Sequence, residues 1–316
     1  MHTNLSGPEA SAMYRLLRAG SVAVIGASED RGKFGGRLIY NLLHHGFHGT
    51  VYPINPKRDV ILGHKAYPDI ADVPSPPDVA AVAVPAQHLL ASLQGCVDAG
   101  VKVAIVITGQ LAETGSEGAK IQDEAVDIAR AAGMRILGPN CLGAFNAPAG
   151  VCLSPSVTMS VDKLHKGRVG VASQSGALQT AMFIRAFDEG IGFSSAITLG
   201  NQADLELSDA FEYLVDDPDT DAILLYVEGL KDHQRFKQTA LRARVMGKPV
   251  VAVKAGRTDA GAAMANSHTA SLTGSYEAFS ALCESLGIVV TDQPDTAVFC
   301  ADALARWGAP KASGVA

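Results

Sequence analysis

Two doubly wound α/β domains with mainly parallel sheets are what this 316-residue sequence predicts, and three observations predict them. Short β-branched runs alternate with helix-length amphipathic stretches, the rhythm of a parallel sheet joined by crossover helices. The runs are apolar throughout rather than every second residue, as expected where helices cover both faces of a sheet. The rhythm breaks once and then restarts, and a chain of this length is comfortable as two domains that each bury a core.

Taken in order, the first strands are Val22 to Ile25, Thr50 to Ile54, Val79 to Val84, Val103 to Ile107 and Met134 to Leu137. Phe34 to His45, Gln87 to Ala99 and Glu117 to Ala132 supply helices between them. The segment Gly143 to Lys166, with Pro148, Gly150 and Pro155, interrupts the pattern and marks the boundary between a domain of residues 1–145 and one of residues 146–316. Strands are then expected at Arg168 to Ala172, Ser194 to Thr198, Ala222 to Val227, Pro249 to Lys254 and Ile288 to Val290. Helices follow at Ala177 to Glu189, Glu206 to Val215, Gln234 to Met246, Tyr276 to Leu286 and Thr296 to Ala305. The two halves read as one kind of unit used twice, wound in the Rossmann-like or flavodoxin-like manner.

Charge and cysteines narrow the function. The net charge of −6, with Lys and Arg scattered, leaves no basic stripe of the kind nucleic acid requires. Five widely spaced cysteines without a C-x-x-C pair fit reduced thiols in cytoplasm. Neither a signal peptide nor a run of roughly 18 apolar residues is present, so no membrane role is expected. His44, His45 and His48 sit near a helix end, where imidazoles cap carbonyls more readily than they build a metal site.

The first strand runs into Gly26-Ala27-Ser28, a small-residue turn at a strand's carboxyl end, where ligands of such sheets bind. Backbone N–H groups and the positive end of the next helix suit a pyrophosphate there. A dinucleotide fingerprint fails, because Ser28 and Arg31 occupy the second and third glycine positions and Asn55-Pro56-Lys57, not an acidic residue, follows the second strand. A P-loop fails too, since Gly26 to Phe34 is one residue too long and Phe34 has no hydroxyl for Mg²⁺. What remains suits a more phosphorylated nucleotide such as coenzyme A, with Lys57 pairing a phosphate. Taken singly, Gly26 also fits as a plain turn glycine and Lys57 as a solvated surface charge.

Between Lys254 and Tyr276 runs a long loop with Gly256, Gly261 and Gly274, carrying His268 between Ser267 and Thr269. Connections of that length are usually functional or disordered, and few bulky side chains anchor this one, so its movement is expected to cost little. Neutral imidazole, with an ordinary pKa of about 6.5, is a competent nucleophile and a carrier for phosphate. Glu228, at a strand's carboxyl end, is the candidate for fixing its tautomer. Ser175-Gly176, at a helix start, offers an anion-binding N-terminus.

Several motifs occur in a characteristic order: Gly26-Ala27-Ser28, Gly46-Phe47 to Asn55-Pro56, Val84-Pro85-Ala86 and Gly138-Pro139-Asn140-Cys141-Leu142-Gly143. Ser173-Gln174-Ser175-Gly176, Tyr226-Val227-Glu228-Gly229 and Ser267 to Gly274 continue it. Over about residues 15 to 305 the chain resembles the succinyl-CoA ligase α-subunit superfamily, most of all its nucleoside-diphosphate-forming acyl-CoA synthetases. The resemblance implies that Gly26, Ser28, Asn55, Pro56 and Lys57 contact the CoA nucleotide, that Val84 and Pro85 border the cleft, and that Thr108 and Asn140 lie toward the thiol. It likewise implies a phosphorylated His268, a partnering Glu228, and a phosphate held by Ser173, Gln174, Ser175 and Gly176. Ala270 and Thr273 depart from the H-T-G-S-L-A-G of acetyl-CoA-type relatives, which bears on substrate and loop and not on the histidine.

The expected cofactors are coenzyme A and phosphate. No ATP-grasp region is recognisable, so ATP or ADP with Mg²⁺ is expected to enter through a partner subunit or a further segment, in an oligomeric assembly acting on a small carboxylic acid or its acyl-CoA. Two rival readings accompany this one: a non-catalytic CoA-binding regulatory or scaffold module, and a serine hydrolase using Ser175, which lacks the G-x-S-x-G elbow.

Overall fold

The computed structural model describes residues 11–257 and 275–309. Its first sheet holds β1 (Ser21–Ile25), β2 (Thr50–Ile54), β5 (Val79–Val82), β6 (Val103–Val106) and β7 (Arg135–Leu137), all parallel, in the order β2-β1-β5-β6-β7. A two-residue pair, β3 (Val60–Ile61) and β4 (His64–Lys65), lies outside it. The second sheet runs β14-β13-β12-β10-β11-β8-β9. Its parallel part is β10 (Lys166–Ser173), β11 (Phe193–Thr198), β12 (Ala222–Val227), β13 (Val250–Lys254) and β14 (Val289–Thr291).

Without the small pair, the first sheet has the strand order 2-1-3-4-5. The parallel part of the second has the same order. The expectation of one unit used twice therefore holds, and each sheet reverses its winding once: between β1 and β5, and between β10 and β12. Such reversals open a crevice at the strands' carboxyl ends, because the flanking crossover helices diverge there.

The apolar runs are buried as their composition requires: every residue of β5, β6, β11 and β12 is buried. Helices α2 (Phe34–His44), α3 (Leu89–Asp98) and α4 (Ser116–Ala131) cover the first sheet, and α5 (Gly176–Asp188), α6 (Leu207–Asp216) and α7 (His233–Val245) belong to the second. One apolar cluster runs from Val24 and Ile105 of the first sheet to Ile197 and Leu225 of the second. The two sheets thus share a core.

The interrupted segment is more ordered than the sequence suggested. β8 (Ala144–Asn146) and β9 (Val151–Leu153) form an antiparallel hairpin that joins the second sheet through β11. Strands of three residues around Pro148 and Gly150 carry no readable periodicity. Polar contacts also tie the sheets together. Asp204, whose side chain is wholly buried, accepts from Arg130 Nε at 2.9 Å, Arg135 Nε at 2.8 Å and Ile136 N at 2.8 Å. His44 and His45 meet the carbonyls of Val161 and Met159 at 3.1 and 2.6 Å.

Candidate functional site

At the first winding reversal, Gly26 follows β1 with φ +83°, and a Cβ there would lie 2.5 Å from the Ala83 carbonyl oxygen. A Cβ at Gly35, in the first turn of α2, would overlap the Gly26 carbonyl oxygen. Only glycines let the turn and the helix approach so closely, and the approach leaves a cleft of about 710 Å³. Gly26, Val84, Pro85, Thr108 and Asn140 all line it. Thr108 Oγ1 donates to Val84 O at 2.7 Å, and Asn140 N donates to Thr108 O at 3.0 Å, so three segments are pinned around one opening.

Ser28, Asn55, Pro56 and Lys57 are not in that wall. Ser28 Oγ accepts from Asp30 N at 3.0 Å. Asn55 braces the neighbouring turns, donating to Ala27 O at 2.8 Å and accepting from Lys57 N at 2.8 Å. Lys33, Phe34 and Gly35 line the cleft instead, and they carry no signal that a search for G-x-G-x-x-G would find.

At the second reversal, β10 ends at Ser173 and α5 begins at Gly176. Ser175 caps the helix, its Oγ accepting from Leu178 N at 3.4 Å. Ser173 Oγ donates to Ser175 O at 2.7 Å and shapes the turn from inside. Gly176 and Ala177 line a cavity of about 450 Å³, so the first-turn N–H groups, which have no partner within a helix, stand at its wall. Glu228, one residue past β12, is buried and lines the same cavity. Gln174 binds that strand end: its Oε1 accepts from the N–H groups of Glu228 and Gly229, and its Nε2 donates to Gly229 O at 2.7 Å and Gln202 Oε1 at 3.1 Å.

Lys254, at the end of β13, donates to Glu228 O at 2.9 Å and Ala255 O at 2.7 Å. Burial lowers its pKa, and Glu228 partly restores it. Glu228 together with burial acts on Tyr226 too, whose phenol burial pushes up to about 12. The Cys141 thiol lines this cavity, but burial pushes it up to about 12, so it is protonated and unreactive at neutral pH. His268 lies outside the described residues. The strand preceding its segment ends at Lys254, paired with Val227 beside Glu228.

The two cavities share a wall made by Phe34, Ile107, Glu113 and Asn140. Glu113, Asn201, Gln202 and Lys231 also line the second cavity, and sequence reading missed all four. A larger cavity of about 950 Å³ opens at the opposite, amino ends of the strands, where Arg18 pairs with Asp217 and Arg235 with Asp209 and Glu212. It stands away from the strand ends where such sheets bind ligands. Among the described residues no group of His, Cys, Asp or Glu could hold a metal ion. No described helix is long and apolar enough to cross a membrane.

The CoA binding domain family matches residues 20–147, and the succinyl-CoA ligase like flavodoxin domain family matches residues 166–304. The chain is built of a CoA-binding domain and a succinyl-CoA ligase-like domain. Acetate–CoA ligase [ADP-forming] I of Archaeoglobus fulgidus is 41% identical over 88% of this chain and 39% of its own length. The α subunit of acetate–CoA ligase [ADP-forming] II of Pyrococcus furiosus is 39% identical over 93% of this chain and 63% of that subunit. Acetyl-coenzyme A synthetase 1 of Ca. Korarchaeum cryptofilum, solved in complex with phosphate and ADP, superposes with a TM-score of 0.89 at 37% identity, over 95% of this chain and 64% of that one. The chain thus spans 39% to 64% of the length of these three relatives.

Proposed function

We propose that this chain is the CoA-binding and phosphohistidine-bearing part of a nucleoside-diphosphate-forming acyl-CoA synthetase, which interconverts acid, CoA and nucleoside triphosphate with acyl-CoA, nucleoside diphosphate and phosphate. The observation that carries the reading is the shared wall: a glycine-bounded cleft at one winding reversal opens directly beside a helix N-terminus and a buried glutamate at the other. The division into a CoA-binding domain of residues 1–145 and a ligase domain of residues 146–316 belongs to the same reading, as does a cytoplasmic location, which the five unpaired cysteines support.

In the degradative direction, acyl-CoA lies in the first cleft with its thioester toward Asn140, and phosphate lies at the N-terminus of α5. That end carries roughly half a positive charge from its unpaired N–H groups. A phosphate oxygen attacks the thioester carbonyl, the C–S bond breaks, and CoA leaves as thiolate while acyl phosphate remains. An imidazole nitrogen of His268 then attacks phosphorus, the P–O bond to the acyl group breaks, and the carboxylate leaves. Glu228 accepts the hydrogen bond of the other ring N–H, which holds the reactive tautomer and stabilises the charge on the ring. Phosphorylated His268 passes its phosphoryl group to a nucleoside diphosphate that an ATP-grasp partner subunit or segment holds with Mg²⁺.

Ser173 and Gln174 serve this site by shaping and holding it, while Ser175 and Gly176 present the helix end. A hydroxyl engaged in capping, as that of Ser175 is, gives no support to a hydrolase. The test is a screen of carboxylic acids with the full assembly, ATP, Mg²⁺ and CoA, scored by ADP release. ADP release that depends on both CoA and one class of acid is expected. CoA binding without CoA-dependent ADP release from any acid would favour the non-catalytic module.

A further inference from the structure

Three non-glycine residues around the shared wall hold left-handed backbone: Gln110 at φ 64°, Asn140 at 55° and Gln202 at 52°. Each such conformation is costly for a residue that carries a side chain and persists where its surroundings enforce it. Glu113 stands among them. Its Oε1 accepts from Gln110 N at 2.6 Å and its Oε2 from Asn201 Nδ2 at 2.6 Å. Burial alone would raise the Glu113 carboxyl, but Asn201 and the surrounding backbone N–H groups hold it below the ordinary range, so it is ionised.

An ionised carboxylate can only accept. Asn201 must therefore turn its NH₂ toward Glu113, and the same group donates to Gln122 Oε1 at 2.9 Å. With both hydrogens engaged, Asn201 has its Oδ1 left for Asn140, whose Nδ2 donates to it at 3.2 Å. That fixes the second amide as well. Asn140 Oδ1 lies on the other side, over Gly109, where even a Cβ would approach it to 2.9 Å. Gly109 and Asn140 both line the cleft of the first reversal.

We propose that Glu113 is a positioning residue: acting through Asn201, it orients Asn140 so that an amide oxygen, not an amide NH₂, meets a hydrogen-bond donor of the pantetheine arm. The inference rests on the CoA reading above and adds the residue that sets donor and acceptor polarity where the two cavities meet. Glu113 touches no reacting atom in this scheme. The donor is an amide N–H or the thiol S–H of the arm, which share this chemistry.

Calorimetric titration of the whole chain with CoA, desulfo-CoA and adenosine 3′,5′-bisphosphate tests it. Glu113→Gln keeps the size but cannot accept at both ends, and Asn201→Ala removes the middle link. Each is expected to weaken CoA binding five- to tenfold while leaving adenosine 3′,5′-bisphosphate, which lacks the arm, unchanged. The double variant is expected to lose no more than either single one, because the residues act in one chain. Equal weakening of CoA and desulfo-CoA assigns the donor to the amides; weakening of CoA alone assigns it to the thiol. Unchanged CoA binding in Glu113→Gln, additive losses, or equal loss of the bisphosphate would overturn the proposal. A wild-type chain that binds no CoA would remove the underlying reading itself.

Discussion

Gln174 holds Glu228 in place from the adjacent strand: its amide oxygen accepts from the N–H of Glu228 and of Gly229, and its amide nitrogen donates to Gly229 O at 2.7 Å. The end of β10 thereby grips the end of β12 across the winding reversal. In the mechanism proposed above, Glu228 meets a ring N–H of His268, and this grip holds the carboxylate's strand end for it.

Replacing Gln174 by Ala is expected to lower kcat about 10- to 100-fold by freeing the turn that carries Glu228. CoA binding should be unchanged, because Gln174 lies outside the first cleft. Steady-state kinetics of the assembly, paired with CoA titration, check both halves of the expectation.

Gly35→Ala places a methyl group on the Gly26 carbonyl, and neither backbone can move without opening the cleft. CoA binding should fall by more than tenfold, with a stability loss of about 1–3 kcal/mol from overpacking. Gly46→Ala is a useful contrast: no atom lies within 4 Å of its Cβ position, but its φ of +80° strains any side chain. That variant should lose stability without losing affinity, as denaturant unfolding and calorimetry would report.

Asp204 joins the sheets through Arg130, Arg135 and Ile136 N. Burial by itself would raise its pKa, but the Arg135, Ile136 N–H and Arg130 bonds outweigh burial and hold it below the ordinary range. The folded value therefore lies below the unfolded one of about 3.9, so the contribution is complete above that pH and is lost as pH falls toward the folded value. Asp204→Asn should cost about 2 kcal/mol at pH 7, less than the ~3–5 of a fully buried pair, because both arginines are partly exposed and screened. The deficit should shrink below about pH 4. Denaturant unfolding of both proteins across pH 3 to 7 measures it.

Much of this arrangement was legible in the sequence, and the reasons are local. Runs such as Ala222–Val227 are apolar at every position because both faces are covered, and their bounds can be read directly. Gly26, Val84, Pro85 and Asn140 were named in separate motifs and Thr108 through the resemblance, and the parallel sheet brings them together because each follows a strand. The resemblance gave Asn55 as a cofactor contact; its side chain also braces Ala27 and Lys57, a role that an Asn-Pro turn signals equally well. Glu113, in a single 3-10 turn, and Asn201, in a loop, are 88 residues apart without a motif, and no periodicity links them. Only the folded chain makes them neighbours. The hairpin of β8 and β9 was hidden for a related reason, since its three-residue strands take their stability from β11 and not from their own pattern.

The account turns on phosphate reaching one imidazole. Assembled with the ATP-grasp subunit proposed for it and given γ-labelled ATP and Mg²⁺, the chain should acquire base-stable, acid-labile label that mapping places on His268; Glu228→Gln should slow that labelling and His268→Ala should abolish it. Label that persists undiminished in His268→Ala would contradict the account.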